Sequence, residues 1–260
     1  MFNVKRWIAW GLLISAGFAS GQEAALNDSL ILQGKAMIQS AVNTWNLEQM
    51  MAARAHFERL LGRFDEPWLV RYYVALVDFR IYLFHFSQEN KDEARRYVDD
   101  GIAQLEAVIE SKPDFEEGYA LFSSLLGNKI ALNPMLGMTL GMRSGGMMGK
   151  ASSLAPENPR VALIAGESAY YTPKLFGGGR DKALEHIRKA IGLFETFRPE
   201  RPVDPDWGYD EAYAYLGMIQ MDEGQFDAAQ ASFEKGMEIN PDNGWIRNDL
   251  MGQLAEKRGE

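Results

Sequence analysis

Apolar residues recur along most of the chain at spacings of three and four, as they do on one face of a helix. No segment shows the strict apolar–polar alternation that is typical of a half-buried strand. The pattern predicts helices at residues 30–44, 47–63, 68–86, 92–111, 115–132, 135–154, 160–171, 181–197, 211–222, 226–239 and 245–257. The sequence therefore predicts an all-α fold.

Prolines mark a regular repeat of two helices. One proline follows every second predicted helix, at Pro67, Pro113, Pro156, Pro199 and Pro241, with spacings of 46, 43, 43 and 42 residues. Because proline cannot continue a helix, each of them ends a helical pair. A period of about 43 residues with two helices in each period predicts an α-solenoid.

The last period carries a more specific pattern over residues 210–243. An aromatic residue, a leucine–glycine pair, an alanine, a phenylalanine and a proline follow at set offsets: Tyr213, Leu216, Gly217, Ala229, Phe233 and Pro241. This resembles the tetratricopeptide repeat, in which Gly217 and Ala229 would lie where two helices cross closely. Two positions depart from the repeat, with Gln220 in place of tyrosine and Gly236 in place of alanine.

We expect an α-solenoid of about five tetratricopeptide-like helical hairpins followed by a C-terminal capping helix. The earlier periods match the repeat more weakly and are longer than 34 residues. The expected organisation is one domain over residues 22–260, with hairpins at 28–67, 68–113, 114–156, 157–199 and 206–241 and the capping helix at 243–258.

The N-terminus has the three-part pattern of a secretory signal peptide. Lys5 and Arg6 are followed by thirteen uncharged residues, 7–19, and then by small residues. The apolar run is too short to span a bilayer as a mature helix. We expect cleavage after Gly21, with cleavage after Ala19 as the alternative. The chain is then exported to the periplasm or the outer face of a Gram-negative bacterium.

Glycine recurs every fourth residue in the segment 133–154. Each glycine in a helix interior costs about 0.5–1 kcal/mol relative to alanine, so we expect Gly141 and Gly145 to face another structure rather than water. Close packing against a neighbouring helix is the first interpretation. A bound ligand or peptide, with Asn133 at the start of the segment, is the second, and a partly unwound loop is the third.

Residues 170–180 interrupt the fourth period between its two helices. Pro173 ends the first of these helices, and three consecutive glycines, 177–179, permit backbone angles that other residues resist. We expect Phe176 to fold back under the loop. The segment is either a structured connector or a loop whose Lys174, Arg180 and free amides meet an anion or an acidic peptide.

The stretch from Ala155 to Ile191 resembles a group of secreted bacterial tetratricopeptide proteins of unassigned function. The shared elements are an Asn-Pro-Arg entry, a Tyr-x-Thr-Pro-x-x-Phe-Gly-Gly-Gly loop and a Lys-Ala-Leu helix. The glycine-rich element is also similar to the T component of tripartite transporters, a helical periplasmic lipoprotein. This chain has no lipoprotein cysteine. The resemblances imply the fold and the compartment rather than an activity.

Composition excludes several classes of function. The chain has no cysteine, so disulfides, thiolate nucleophiles and cysteine-ligated metals are excluded. Its net charge of −9 disfavours a nucleic-acid partner. The three histidines, His56, His85 and His186, have no helical spacing that suits a metal pair. We therefore expect no enzyme activity, no cofactor and no metal.

The first helix of each hairpin is expected to line a concave surface. With the two glycine-rich segments, the candidate binding residues are Arg71, Tyr72, Tyr119, Lys129, Asn133, Gly141, Gly145, Tyr170, Lys174, Phe176, Gly178 and Tyr213. Aromatic side chains with polar tips suit an extended peptide. The leading hypothesis is a secreted, non-catalytic scaffold for a protein or peptide partner. The alternative is a periplasmic component that binds a small apolar ligand and is associated with transport.

Overall fold

The computed structural model describes residues 5–64 and 67–259, with side chains from residue 24 onward. This part of the chain is helical and contains no strand. Its α-helices are α1 (Lys5–Asn43), α2 (Leu47–Leu60), α3 (Trp68–Ser87), α4 (Lys91–Ser111), α5 (Glu116–Leu132), α6 (Gly137–Leu154), α7 (Pro159–Tyr171), α8 (Arg180–Thr196), α9 (Tyr209–Asp222), α10 (Phe226–Ile239) and α11 (Met251–Arg258). The predicted all-α fold is confirmed, and most helix ends lie within two residues of their predicted positions.

Asparagine side chains begin several of the helices. Asn46, Asn90 and Asn158 precede α2, α4 and α7, and each side-chain oxygen accepts a hydrogen bond from a backbone amide of the first turn. These amides have no partner within the helix, so the cap satisfies them. Pro159 is the first residue of α7. Because proline has no amide hydrogen, this position leaves no donor without a partner.

Successive helices pack as antiparallel pairs and stack into a solenoid. The strongest contacts join α3 with α4, α5 with α6, α7 with α8 and α9 with α10. The odd-numbered helices α3 to α9 also contact one another and form the inner layer. α3 lies at its centre, with 14 of its 20 residues buried, whereas α4 buries only one face.

In the last hairpin, two glycines lie where a side chain would clash with a buried residue of the neighbouring helix. A methyl group on Gly217 of α9 would lie 2.3 Å from Cε1 of Phe233 on α10, and Phe233 is fully buried. A methyl group on Gly236 would lie 2.5 Å from Cδ1 of Ile246. Gln220 accepts a hydrogen bond from Ser232 Oγ at 2.6 Å. The repeat pattern of residues 210–243 therefore corresponds to real close packing.

The two ends of the solenoid meet. Lys35 of α1 donates hydrogen bonds to the carbonyl oxygens of Pro202 and Asp204, at 2.7 and 2.6 Å, and pairs with Asp206 at 3.0 Å. At the end of α1, Asn43 accepts a hydrogen bond from Asn240 at 2.9 Å. The N-terminal hairpin and the last hairpin are thus joined directly, with the connection 197–208 between them.

The segment predicted to be a partly unwound loop is a continuous helix from Gly137 to Leu154, so that third interpretation is wrong. The predicted signal peptide, residues 1–21, lies outside the residues whose side chains are described. Within the described residues, no helix has the length and apolar character needed to cross a membrane.

Candidate functional site

The inner surface of the solenoid is occupied by the protein itself. The connection 197–208 crosses it, and the backbone carbonyl of Val203 accepts a hydrogen bond from the hydroxyl of Tyr73 at 2.6 Å. Trp207 Nε1 donates to the hydroxyl of Tyr72 at 3.0 Å. The predicted open concave surface is therefore filled over its central part.

Two of the predicted surface tyrosines lie in the interior. Tyr72 is fully buried and its hydroxyl donates to Glu117 at 3.1 Å. Tyr119 is 9% exposed, and its hydroxyl donates to the carbonyl of Pro113 at 3.3 Å. The prediction that these residues line a binding surface is wrong. Connection 197–208 covers Tyr72, and Tyr119 packs in the core between α5, α6 and α7.

A buried ion pair joins α5 and α7. Arg160 Nη2 donates to Glu117 Oε1 at 2.7 Å, and both side chains are almost fully buried. Asn158 donates to the same carboxylate at 2.9 Å, and the Arg160 guanidinium stacks over the ring of Phe197 at 4.5 Å. Removal of one partner would leave a buried charge without compensation, so this network holds the third and fourth hairpins together.

A second ionic cluster joins α3, α7 and α9. Arg80 of α3 pairs with Glu211 of α9. Glu167 of α7 lies beside them and accepts a hydrogen bond from Tyr215. Burial, with a further contribution from Glu211, raises the pKa of Glu167 to about 7. Glu211 is thus the carboxylate that pairs with the guanidinium, and burial raises the pKa of both Glu167 and Glu211.

The α7–α8 turn is a rigid structure. A side chain on Gly178 would lie 2.1 Å from the carbonyl oxygen of Thr172, and Gly179 has a φ of 111°. The Gly179 amide donates to the carbonyl of Ala169 at 2.8 Å, and Lys182 Nζ donates to that of Gly177 at 2.9 Å. Gly178 is required by this close approach, and Gly177 and Gly179 by their positive φ angles, so the segment is a structured connector.

Apolar side chains project from this turn. Phe176 is 75% exposed and Leu175 is 88% exposed, while the adjacent Tyr171 is 64% exposed. The prediction that Phe176 folds back under the loop is wrong, because its side chain is mostly exposed. We call Tyr171, Leu175 and Phe176 the turn patch. Lys174 beside it is exposed and pairs with Asp181 at 3.5 Å.

The glycine positions of α6 face outward. Methyl groups placed on Gly141, Gly145 and Gly149 would meet nothing within 4 Å. The first interpretation, that these glycines pack against a neighbouring helix, is therefore wrong. The same side of α6 and the turn before it carry Met135 and Met138, which are 91% and 88% exposed. Asn133 caps this turn by accepting from the Met135 amide at 3.2 Å.

The remaining predicted residues are dispersed. Arg71 at the start of α3 donates to Gln104 at 2.8 Å, and Lys129 pairs with Asp99 on the outer layer. Tyr170 donates to Asp222 at 2.7 Å beneath the α7–α8 turn. Tyr213 is half-buried. The structure therefore brings Tyr170, Lys174, Phe176 and Gly178 together, and separately Asn133, Gly141 and Gly145.

Some residues were missed by sequence reasoning. Leu175 was not selected, although its position next to Phe176 in a glycine-rich turn could have indicated exposure. Glu167 looks like an ordinary helical residue, and its pKa is raised mainly because it is buried, with a further contribution from Glu211 of α9. Among the described residues, no group of three acidic, histidine or cysteine side chains could hold a metal ion.

Comparisons with known proteins agree with this architecture. The tetratricopeptide repeat family model matches residues 210–243. A haemophore, HusA from Porphyromonas gingivalis, has a similar structure, with 24% identity over 76% of this chain and 93% of that chain and a TM-score of 0.63. TTC0263, a thermophilic tetratricopeptide protein of Thermus thermophilus, aligns at 18% identity over 87% of this chain and 100% of that chain, with a TM-score of 0.59.

A search of curated protein sequences found no significant match. The direct family match covers the last hairpin, where Gly217 and Phe233 make the close contact that the repeat pattern requires. The preceding hairpins share the fold of the two solved structures. The last hairpin therefore matches the tetratricopeptide repeat, and the chain as a whole shares the fold of a solved tetratricopeptide protein.

Proposed function

We propose that this protein is an exported, non-catalytic scaffold that binds a protein partner through its outer surface. The observation that carries the proposal is the distribution of exposed apolar side chains. Among the large apolar residues of the described chain, the six most exposed all lie between residues 135 and 176. Contiguous exposed apolar surface on a soluble domain marks an interaction site.

The turn patch is the proposed partner-binding surface. Leu175 and Phe176 project from a turn whose backbone is held by hydrogen bonds, and the ring of Tyr171 packs edge-on against Tyr170, so little conformational entropy is lost when a partner binds. Lys174 at its edge is exposed and pairs with the exposed Asp181 at 3.5 Å. An apolar segment of a partner would fit this surface. The inner surface is a poor candidate because connection 197–208 occupies it.

Affinity capture from the native cell envelope tests this proposal. The wild-type chain and the double variant Leu175→Ser, Phe176→Ser serve as baits, and Ile239→Ser is the control because Ile239 is exposed on a different helix. We expect a partner that the wild type and the control recover equally and that the double variant recovers at least tenfold less. Equal recovery by all three baits would show that the turn patch is not the binding surface.

A small apolar ligand is the second candidate, and the same exposed aromatic surface favours it. Haem is the first probe to test, because the similar structure HusA is described as a haemophore. Titration with haem, followed by its absorbance spectrum, should show saturable binding that Tyr171→Ser and Phe176→Ser weaken. An unchanged spectrum would remove this candidate and leave the protein-binding proposal intact.

Export belongs to the same proposal. The basic pair Lys5–Arg6, the uncharged run that follows it and the small residues before Gln22 support cleavage of residues 1–21. N-terminal sequencing of the protein from its native host should find Gln22, or Ser20 if the alternative site is used. A chain that retains Met1 would contradict export by this route. The similarity to a transporter T component stays a prediction.

A further inference from the structure

The carboxyl group of Glu167 makes no ion pair with any of the described residues. Arg80 is the cation that acts on it, but the Nη2 atom of Arg80 donates to Glu211 instead. The guanidinium group of Arg80 also lies over the ring of Trp207, 5.2 Å from the ring centroid. Two carboxyl groups therefore face one guanidinium, and the charge of Glu167 is left without a direct partner.

Tyrosine side chains surround this carboxyl group. Tyr215 of α9 donates a hydrogen bond to Glu167, and Tyr82 of α3 lies near it. Tyr171 follows Glu167 by four residues and so lies on the same face of α7, with its ring centroid 6.4 Å from that of Tyr215. The faces of tyrosine rings attract cations. The carboxyl group and the rings together suit a positively charged group.

This group of residues is open to solvent on the side of the turn patch. Glu167 is half-buried, and the neighbouring Tyr171, a member of the turn patch, is 64% exposed. A partner that covers the turn patch with an apolar segment can therefore place a basic side chain over Tyr171 and against Glu167. The net charge of the chain, −9, also favours a basic partner.

We propose that Glu167, with the rings of Tyr171 and Tyr215, binds an ammonium or guanidinium group supplied by a lysine or arginine side chain of the partner. The inference rests on the proposed function, because Tyr171 belongs to the turn patch. It adds the chemistry of the partner, which carries a basic residue beside the apolar segment that covers Leu175 and Phe176.

Binding of the cation is coupled to loss of a proton from Glu167. Burial, with a contribution from Glu211, raises the pKa of Glu167 to about 7, so its carboxyl group is mostly neutral at pH 6 and mostly ionised at pH 8. Since a cation binds the ionised form, its affinity should be about tenfold higher at pH 8 than at pH 6. The titratable groups that face Glu167 are Arg80 and Tyr82 of α3, Glu211 and Tyr215 of α9, and Tyr171 of α7.

Titration with butylammonium and propylguanidinium, followed by nuclear magnetic resonance, tests the cation site. These probes reproduce the ends of lysine and arginine side chains, and 1-butanol is the neutral control of similar length. We expect saturable shifts of the Tyr171 and Tyr215 ring signals with both cations and none with 1-butanol. The affinity should be about tenfold higher at pH 8 than at pH 6.

Glu167→Gln should bind both cations at least tenfold more weakly than the wild type, with no change between pH 6 and pH 8. Glutamine keeps the size of the side chain and can still accept from Tyr215, so the fold should be retained. Glu195→Gln, on the exposed side of α8, is the matched control and should behave as the wild type. Equal binding by Glu167→Gln, or no saturation by the wild type at pH 8, would overturn the proposal.

Affinity capture separates this inference from the proposed function. Glu167→Gln should recover the partner at least tenfold less well than the wild type. If it recovers the partner fully while Leu175→Ser, Phe176→Ser loses it, the cation site is wrong and the proposed function holds. If no bait recovers a partner, the proposed function fails, and the titration with the two cations still decides the cation site.

Discussion

Glu167 shows how one residue acquires a property that its local sequence does not indicate. It lies beside Glu211 and Arg80, and Tyr215 donates a hydrogen bond to it. Burial is the main cause of the rise in its pKa from 4.5 to about 7. Between these two pH values the unfolded chain loses the proton while the folded chain keeps it. The contribution of Glu167 to the free energy of unfolding is therefore fully present below pH 4.5 and is lost as the pH rises through 7.

Glu167→Gln should remove this pH dependence, because glutamine does not titrate. Urea unfolding at pH 5 and pH 8 measures it. We expect the wild-type free energy of unfolding to fall between these pH values, and the fall to be smaller in the variant by roughly 2 kcal/mol. Glu195→Gln is the control, since Glu195 is exposed on α8. The same pH dependence in wild type and variant would contradict the raised pKa.

At the scale of the helices, the same residue type has opposite roles in α9 and α6. Gly217 of α9 lies against the buried ring of Phe233, so the helices can cross closely only without a side chain. Gly141 of α6 meets nothing within 4 Å, so its missing side chain relieves no contact within the monomer. A glycine in a helix interior is destabilising at both positions because of its conformational entropy. Only at Gly217 does close packing within the chain, against Phe233, offset this effect.

Two alanine substitutions should therefore change stability in opposite directions. Gly217→Ala should lower the free energy of unfolding by about 1–3 kcal/mol, because the buried Phe233 must shift. Gly141→Ala should raise it by about 0.5–1 kcal/mol when measured in dilute solution. Denaturant melts of both variants give these values. A destabilised Gly141→Ala would show that this side of α6 is covered within the monomer.

In the whole molecule, the contact between the two ends of the solenoid stabilises connection 197–208. The side chain of Lys35 is only 11% exposed. Its ammonium group contacts two carbonyl oxygens and the carboxylate of Asp206, all in connection 197–208. Tyr73 holds the same segment through Val203. In an open solenoid each repeat contacts only its neighbours. Here the first and last hairpins are in contact, so the connection is stabilised by helices far away in sequence.

Lys35→Met should loosen connection 197–208 while the helices remain folded, because it removes the charged group and keeps the length of the side chain. Hydrogen exchange read by mass spectrometry should show at least tenfold faster exchange in peptides covering 199–206. Peptides from α5 and α6 should be unchanged. Lys91→Met, on the exposed start of α4, is the control. Unchanged exchange at 199–206 would mean that Lys35 does not hold the connection.

The sequence by itself determined the helices and their pairing. Helix periodicity, asparagine caps such as Asn158 and prolines such as Pro113 are local signals, because a helix satisfies its backbone hydrogen bonds within four residues. The pattern of residues 210–243 also determined one close contact, Gly217 against Phe233, because the two helices are adjacent in the chain. Of the candidate site, the sequence singled out both glycine-rich segments, and their role as binding surfaces stays a prediction.

Only the tertiary structure decided which surfaces are free. Tyr72 is buried because Trp207, 135 residues away, covers it, and no local pattern reports a contact of that range. Phe176 remains exposed at the α7–α8 turn, and the glycines of α6 face outward because α5 packs against the other side of that helix. Burial depends on how the hairpins stack and on where the chain returns to itself, and these are properties of the assembled solenoid.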